Sequence, residues 1–315
     1  MLAMNVMADV ILPAGRSAVE LALFLLLPVM VVMLTLMRLL EAWGVLDRVV
    51  ARLAPLLTPF GLTGLGVFAA LQITLVSFAA PVATLSIMEN RGASDRHLAA
   101  ALAMVLAMAQ ANVVFPMMAM GLRATPVILL SLLGGVVAAA SSYHVFGRRL
   151  STEEQLIDDS VQHPTAETAK GLLDVINRAG AEAFRIAIGA IPLLVLSLVA
   201  VTAAQKAGMV DALAVALAPL LTVANIDPAL VLPTFTKVFA GGTATMGVID
   251  EQLRQGHLNA QLVNAAAGVL INPLDVPGVA ILMAAGPRVA RVWKPAAAGA
   301  AVGILLRAVG HAMLN

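Results

Sequence analysis

The sequence predicts an all-α polytopic membrane protein with two inverted repeats, each built from three transmembrane helices, a re-entrant helical hairpin and an interfacial amphipathic helix. Three observations lead to this fold class. Hydrophobic residues make up 61% of the 315-residue chain and charged residues 12%, with a mean hydropathy of +0.96, against roughly 45–50% and 25% in soluble proteins. A sequence segment recurs in both halves, and the basic residues of the short loops are distributed unevenly.

Eight runs of the chain are long and apolar enough to enter a bilayer as helices, which takes about 20 residues for a full span. Six of them read as spans: 18–40, 97–121, 124–147, 184–205, 259–283 and a weaker Ala- and Gly-rich run at 296–313. The other two, 62–88 and 228–249, contain proline and several polar residues. Non-helical backbone at membrane depth has to be covered by protein or water, so we expect the two interrupted runs in the interior.

A repeated segment predicts that the chain arose by duplication. The sequence GVLD at 44–47, followed by LAPLLT at 53–58, recurs as GMVD at 208–211, followed by LAPLLT at 217–222, with an offset of 164 residues. We therefore predict a first repeat at 1–147 and a second at 184–315. The LAPLLT segments are expected to form amphipathic helices on opposite membrane faces.

A second offset, of 160 residues, relates the later part of each repeat. At this offset His97 corresponds to His257, and both are expected to begin matching helices. Asn112 then corresponds to Asn272. We expect these two asparagines to form the two halves of one intramembrane polar site.

A charged connector separates the repeats at 148–183, where Arg, Asp and Glu are too frequent for hydrocarbon. Its stretch 165–180 has the pattern of a short amphipathic helix on the membrane surface. A plain linker fits this stretch equally well. The connector is taken as cytoplasmic.

The basic residues decide between re-entrant and fully crossing runs at 62–88 and 228–249. If both runs are re-entrant, thirteen basic residues lie on the connector's side and four on the other; if both cross, the split is nine to eight. Lys237 and Arg307 are counted on neither side because they fall at membrane depth. The positive-inside rule favours the re-entrant arrangement. Each repeat then has three spans, an odd number, so the repeats are inverted and both chain ends lie outside.

Two charged residues within the apolar runs, Lys237 and Asp275, are candidates for function. A charge at membrane depth costs from about 2.5 kcal/mol upward, so such groups face partners or water. We expect both side chains on one cavity. They either form an ion pair that locks the hairpin to a broken helix, or one of them exchanges its partner for a proton, an ion or an anionic solute.

Breaks in the runs supply the free backbone that a site needs. Proline at 273 removes a hydrogen-bond donor directly after Asn272, and an asparagine there can bridge the break or bind a solute. Gln110 lies beside Asn112 in the other repeat. Gly241 and Gly242 can adopt positive φ and suit the tip of a hairpin.

These motifs together resemble a known family. The duplicated GVLD and LAPLLT segments, the polar hairpin and the helix that ends in Asn and Pro are similar to the Gate, or nucleoside recognition, membrane domain. This domain occurs in the spore maturation proteins A and B, in the membrane part of the ferrous-iron transport GTPase and, distantly, in concentrative nucleoside transporters. The resemblance implies a fused pair of Gate copies that binds solute through hairpin and broken-helix side chains: Gln72, Thr74, Ser77, Asn112, Thr234, Thr236, Thr243, Thr245 and Asn272. Together with Gln110, Lys237 and Asp275, named above from the sequence itself, these are the predicted solute-binding residues.

The function predicted is transport of a small polar solute, nucleoside-like or an ion, by alternating access at a midplane site. No nucleotide-binding, serine-hydrolase or zinc-protease motif occurs, so we expect no enzyme activity, cofactor or metal. Uphill movement of the solute would have to be coupled to an ion gradient or to a separate protein. The expected partners are the solute and the lipid bilayer of the bacterial cytoplasmic (inner) membrane, without nucleic acid; a homo-oligomer is left open. The alternative is a non-transporting scaffold that recruits partners through the 148–183 connector.

Overall fold

The computed structural model describes residues 7–153, 171–224 and 226–315. These ranges consist of helices and short connections, without a β-strand. Within them, five helices are long and apolar enough to cross a membrane: Leu12–Ala42, Asp95–Met118, Ala124–Phe146, Leu172–Lys206 and Trp293–Leu314. The all-α polytopic fold class is therefore confirmed.

The first half of the chain starts with one long helix and ends with another, and the elements between them are shorter or broken. In chain order they are α1 (Leu12–Ala42), the amphipathic α2 (Val45–Leu57), the hairpin arms α3 (Gly64–Leu75) and α4 (Pro81–Asn90), the broken helix α5 (Asp95–Ala107) with α6 (Ala111–Met118), and α7 (Ala124–Ser141). The chain bends by 109° between α2 and α3. This angle directs the first hairpin away from the amphipathic helix and into the bundle.

The second half repeats this order of elements. It comprises α8 (Leu172–Lys206), the amphipathic α9 (Met209–Ala224), the second hairpin α10 (Val231–Arg254), the broken helix α11 (Ala260–Leu270) with α12 (Val276–Met283), the short α13 (Pro287–Arg291) and α14 (Trp293–Leu314). Gly241 interrupts α10 with φ 82° and ψ 173° and so divides it into two arms. The predicted span 259–283 is thus two half-helices.

Glycines with positive φ mark the same turns in both halves. Gly44 (φ 62°) and Gly208 (φ 72°) follow the first long helix of each half, and Gly92 (φ 75°) and Gly256 (φ 73°) follow each hairpin. Both pairs keep the offset of 164 residues. Left-handed backbone is unfavourable for residues with a Cβ, so these glycines are needed where they stand, and the duplication extends from sequence to backbone conformation.

The broken helices, however, match at a different offset from the one predicted. Ser94 caps the start of α5 and Asn259 caps the start of α11, 165 residues later. Gln110 and Asp275, which precede the second half-helix in each repeat, are again 165 residues apart. By helix ends, therefore, the residue equivalent to Asp275 is Gln110.

This register corrects two predictions. Asn112 lies in the first turn of α6, after the first break, whereas Asn272 lies inside the second break. They are not equivalent positions. His97 lies in the first turn of α5, but His257 precedes the Asn259 cap and does not begin α11. The two breaks differ in length, which sequence spacing alone did not reveal.

Contacts around Tyr143 show that the first hairpin enters and leaves at one end of the bundle. A Cβ atom added to Gly61, just before the hairpin, would collide with the Tyr143 ring. After the hairpin, the His97 ring lies 5.1 Å from that ring and the Arg96 guanidinium 4.7 Å from its centre. The chain from 62 to 95 therefore returns to its starting side, as a re-entrant segment must.

The second hairpin also returns to its starting side, at the opposite end of the bundle. Leu232 on its first arm and Gln252 on its second line one cavity together with Pro13. Met120, which precedes α7, lines this cavity as well, whereas Tyr143 follows α7. Hairpins that enter from opposite ends are what inverted repeats require; inversion of the whole repeats remains a prediction.

The connector differs from its prediction where it meets α8. This helix begins at Leu172 rather than near 184, so 172–180 are its first turns and do not form a separate short surface helix. Residues 165–170 of the predicted helix lie outside the described residues. Glu182 accepts a hydrogen bond of 3.0 Å from Arg38 on α1, which joins the first spans of the two halves.

The broken helix of the first half lies at the centre of the bundle. In its apolar window 94% of the residues are buried, against 28–33% in the other four spans. Large apolar side chains such as Phe24, Leu129 and Leu196 project outward from those spans. The outer helices thus present a lipid-compatible surface, and the two breaks lie in a protein interior.

Candidate functional site

The second break is organised by Asp275, which binds two groups at once. Its Oδ1 accepts a 2.7 Å hydrogen bond from the Gly278 backbone N–H and so caps α12. Its Oδ2 accepts a 2.6 Å bond from the Lys237 Nζ of the second hairpin, and both side chains are 3% exposed. The structure thus brings together the two charges that the sequence singled out, as a buried ion pair between hairpin and broken helix.

Asn272 bridges the second break with both ends of its amide. Its Nδ2 donates to the Val269 carbonyl (2.8 Å) and, more weakly, to the Gly268 carbonyl (3.4 Å), which are otherwise free at the end of α11. Its Oδ1 accepts from the Leu274 N–H at 3.1 Å. Of the two roles considered for this residue, the contacts are those of a structural bridge.

The tip of the second hairpin lies between the two breaks. A Cβ atom on Gly241 would be 3.6 Å from Asp275 Oδ1 and from Pro277, on the side of the second break. A Cβ atom on Gly242 would collide with the amide nitrogen of Gln110, on the side of the first break. Gly241 also has the positive φ expected of a tip. The absence of side chains here allows both broken helices to approach the hairpin backbone.

The first break leaves two amide oxygens without partners. Gln110 is 1% exposed and Asn112 is 5% exposed. Neither Gln110 Oε1 nor Asn112 Oδ1 has a hydrogen-bond partner among the described residues. The Asn112 Nδ2 reaches Thr243 Oγ1 on the hairpin only at 3.4 Å. Buried polar groups are normally bonded, and each exception requires an explanation.

Two of the four threonines predicted in the second hairpin use their hydroxyls within their own helix. The hydroxyls of Thr236 and Thr245 bond backbone carbonyls of their own helix, those of Leu232 and Gly241. Thr234 is half-buried, and no side-chain bond of it is described. Only Thr243 reaches across to a broken helix. The hairpin therefore contributes mainly backbone and Lys237 to this region.

The predicted residues of the first hairpin are not joined to this cluster. Gln72 accepts a 2.7 Å bond from Thr84 and so fastens one hairpin arm to the other. Thr74 bonds the Ala70 carbonyl within α3. Ser77 is buried and lines a separate cavity with Glu182. Arm α3 does pack against α6, but its polar side chains are used within the hairpin.

Sequence reasoning passed over two residues that hold the breaks together. Arg307 on α14 is 0% exposed and donates to the carbonyls of Ala107 and Ile271, one at each break. Ser131 on α7 accepts a 2.7 Å bond from the Ala109 N–H inside the first break. The sequence did contain a signal for Arg307. It is a lone arginine in the apolar run 296–313, where a charge needs partners.

A cavity of about 710 Å³ opens at the end where the second hairpin begins. Its polar lining is rich in carboxylates and amides: Glu20, Gln205, Asp250, Glu251, Gln252 and Gln255. Arg254 pairs with Asp250. Its inner wall includes Gly247, about one helical turn from Thr243. Leu21 closes this wall, because a Cβ atom on Gly247 would collide with its side chain.

Residues 23–126 match the family model of the Gate domain, described as nucleoside recognition. This match lies inside the predicted first repeat and confirms the resemblance stated from the sequence. No curated protein matches the chain. The Gate description of the second half rests on the internal repeat.

The chain has the fold of CNTnw, a concentrative nucleoside transporter. The inward-facing, substrate-bound structure of CNTnw has a TM-score of 0.69 and 18% identity over 93% of this chain and 74% of CNTnw. A doubly substituted CNTnw in an outward-facing state gives 0.68 and 18%, over 94% and 77%. A variant in an intermediate state gives 0.66 and 16%, over 99% and 83%. The chain is thus a multi-pass helical membrane protein of this fold.

Proposed function

We propose that this protein transports a small polar, nucleoside-like solute across the bacterial cytoplasmic membrane, and that the solute binds between the first break and the tip of the second hairpin. The observation that carries this proposal is the pair of unpartnered buried oxygens, Gln110 Oε1 and Asn112 Oδ1. The nitrogen atoms of the same two amides, Gln110 Nε2 and Asn112 Nδ2, face hairpin residues Gly242 and Thr243. The fold supports it too, since CNTnw has been solved in inward- and outward-facing states.

The chemistry of the two free groups indicates what the solute offers. An unpaired buried acceptor costs about 1–3 kcal/mol, and a ligand that donates hydrogen bonds removes this cost. Amide oxygens accept bonds from hydroxyl, amino and imino groups, all of which a nucleoside carries. A solute that offers only acceptors, such as a phosphate or a carboxylate, would leave both oxygens unpaired.

Access would come through the 710 Å³ cavity, whose inner wall lies about one helical turn from Thr243. Leu21 on α1 and Gly247 on the hairpin close that wall, so a shift of the hairpin relative to α1 would open a route to Asn112. In our proposal the two repeats, 1–147 and 184–315, are inverted and move against each other. The Lys237–Asp275 pair carries the movement of the hairpin to the second broken helix.

Uptake of radiolabelled uridine and adenosine into proteoliposomes tests the proposal. We expect saturable uptake by the wild type and a loss of at least tenfold in Asn112→Ala. Asn264→Ala is the matched control, because Asn264 is an equally buried amide that binds Gly121 and Arg123 backbone groups away from the site; it should retain uptake. Equal uptake by Asn112→Ala and wild type would contradict the assigned site.

A wild-type protein that neither moves nor binds any solute carrying donors would instead favour the scaffold alternative through the 148–183 connector. The same assay tests the ion pair. Lys237→Met and Asp275→Asn should each lower uptake if the pair takes part in the movement. Wild-type uptake by both variants would limit the pair to a structural role.

A further inference from the structure

Arg307 is a buried arginine without a carboxylate partner among the described residues. It lies within the span α14 and is 0% exposed. Among the described residues, no carboxylate lies within ion-pair distance of its guanidinium. Its two terminal nitrogens donate instead to backbone carbonyls, one to Ala107 and the other to Ile271 at 2.8 Å. Within the described residues, the guanidinium is thus bonded by main chain alone, and its Nε has no partner there.

Both carbonyls lie at the C-terminal ends of half-helices. Ala107 is the last residue of α5, and Ile271 is the C-cap of α11. Such ends carry carbonyls without helical partners and about half a negative charge from the aligned peptide dipoles. The guanidinium therefore lies where two partial negative charges meet, and its planar fork reaches both.

The neighbouring helices are shaped to admit this side chain. A Cβ atom on Gly134 of α7 would lie 2.6 Å from the Arg307 Cγ, and one on Gly268 of α11 would lie 2.6 Å from the Arg307 backbone carbon. Glycine at both positions lets α7 and α11 close around Arg307. This close packing lets the Arg307 guanidinium reach from α14 to a carbonyl at each break.

In transporters with broken helices, unwound carbonyls and half-helix C-termini are the groups that coordinate a coupling cation. We propose that Arg307 is a built-in cation that takes this place, so that the two half-helix ends are neutralised by the protein itself and bind no free metal cation. The consequence for transport rests on the proposed function: solute movement would not depend on a sodium gradient acting at these carbonyls. The structural claim about Arg307 does not depend on it.

Chemical rescue of Arg307→Ala tests the structural claim. This variant leaves a guanidinium-sized hole lined by the two carbonyls, so we expect its melting temperature in detergent to be well below that of the wild type. Guanidinium at low millimolar concentration, far below denaturing levels, should raise it by several degrees. Arg307→Met, which fills the hole, and Arg123→Ala, which removes an exposed arginine, should not respond. No response of Arg307→Ala to guanidinium overturns the proposal.

A second pair of variants decides the matter if Arg307→Ala does not fold. Arg307→Lys keeps a cation and Arg307→Met does not, so the lysine variant should melt at the higher temperature. Equal melting, or higher melting of the methionine variant, would show that the charge is dispensable and overturn the proposal.

The transport consequence has its own measurement. Solute uptake by wild-type proteoliposomes should be unchanged when sodium is replaced by choline, and wild-type uptake that is lost in sodium-free buffer would overturn this consequence for transport. Guanidinium rescue without any solute uptake would leave the Arg307 assignment in place and contradict only the proposed function.

Discussion

The two broken helices have the same architecture but differ in how far their buried polar side chains are hydrogen-bonded. In the second break, Asn272 uses its oxygen and nitrogen on the backbone, and Asp275 binds both Gly278 and Lys237. In the first break, the side chains of Gln110 and Asn112 are just as buried, yet each leaves an oxygen unbonded. The second break is thus closed by the protein's own groups, whereas the first keeps two acceptors that have no partner among the described residues.

The two halves of the chain thus use equivalent positions differently. By helix ends, Gln110 and Asp275 are equivalent, but a neutral amide stands in the first repeat and a paired carboxylate in the second. The carboxylate and its lysine fix the second hairpin to one broken helix. The neutral amide of Gln110 cannot form such an ion pair. Substitutions at the two breaks should therefore have opposite signs of effect on stability.

The largest effect is expected from unpairing the charges at the second break. Lys237→Met or Asp275→Asn leaves an uncompensated buried charge, and each should lower the free energy of unfolding by about 3–5 kcal/mol. The double variant should lose less than the sum of the single losses, because it buries no unpaired charge. Unfolding in mixed detergent micelles with increasing denaturing detergent measures this. Single variants as stable as the wild type would show that the second break is not locked by the pair.

A smaller loss is expected at Asn272. Asn272→Ala removes the bridge and leaves the Val269 carbonyl and the Leu274 N–H unpaired, which should cost about 1–3 kcal/mol. The same assay of unfolding measures it. Solute binding should survive in the fraction of protein that folds, as judged by the solute-induced shift in melting temperature. Selective loss of binding with unchanged stability would move the site to the second break.

The adjacent glycines of the hairpin tip should separate stability from binding. Gly241→Ala forces a residue with a Cβ into left-handed backbone, at about 1–2 kcal/mol. Gly242→Ala has no such penalty, and its new methyl group collides with the movable amide end of Gln110 while Val113 stays at 3.4 Å. We expect Gly242→Ala to melt near the wild-type temperature but to lose most of the solute-induced shift. A full shift in that variant would contradict the role given to Gln110.

The smallest change in stability, with the opposite sign, is expected at the first break. Asn112→Ala removes an unsatisfied acceptor and only a weak 3.4 Å bond, so the solute-free protein should be as stable as the wild type or more stable, by up to about 1 kcal/mol. Differential scanning fluorimetry of both proteins without solute checks this. A loss comparable to that of Asn272→Ala would mean that Asn112 is a structural bridge as well.

Much of the fold could be predicted from the sequence because hydropathy and duplication act over long segments. The spans, the two interrupted runs and the breaks near Asn112 and Asn272 follow from apolar length and from proline, glycine and polar residues. The start of α8 at Leu172 could not be predicted. Its first turns contain exposed polar residues, so the apolar run that marks a span begins only later in the helix. The pairing of Asn112 with Asn272 failed because it relied on the match of His97 with His257 at an offset of 160, whereas the helix caps keep an offset of 165.

The candidate site was less accessible to sequence. Lys237 and Asp275 stood out because a charge within an apolar run is costly and must be compensated. Other polar residues in the interrupted runs looked as promising as Asn112: Gln72, Thr74, Thr236 and Thr245. Whether such a hydroxyl or amide bonds its own helix or a distant one depends on packing. Arg307 binds two backbone carbonyls. Since every residue has such a carbonyl, the sequence could not show which ones it binds.

A structure determined with a bound nucleoside tests the central claim most directly. The account predicts solute density between the first break and the second hairpin, with donor groups within hydrogen-bond distance of Gln110 Oε1 and Asn112 Oδ1 and with the Lys237–Asp275 pair intact. Density at the second break, with Asp275 released from Lys237 to bind the solute, would contradict it.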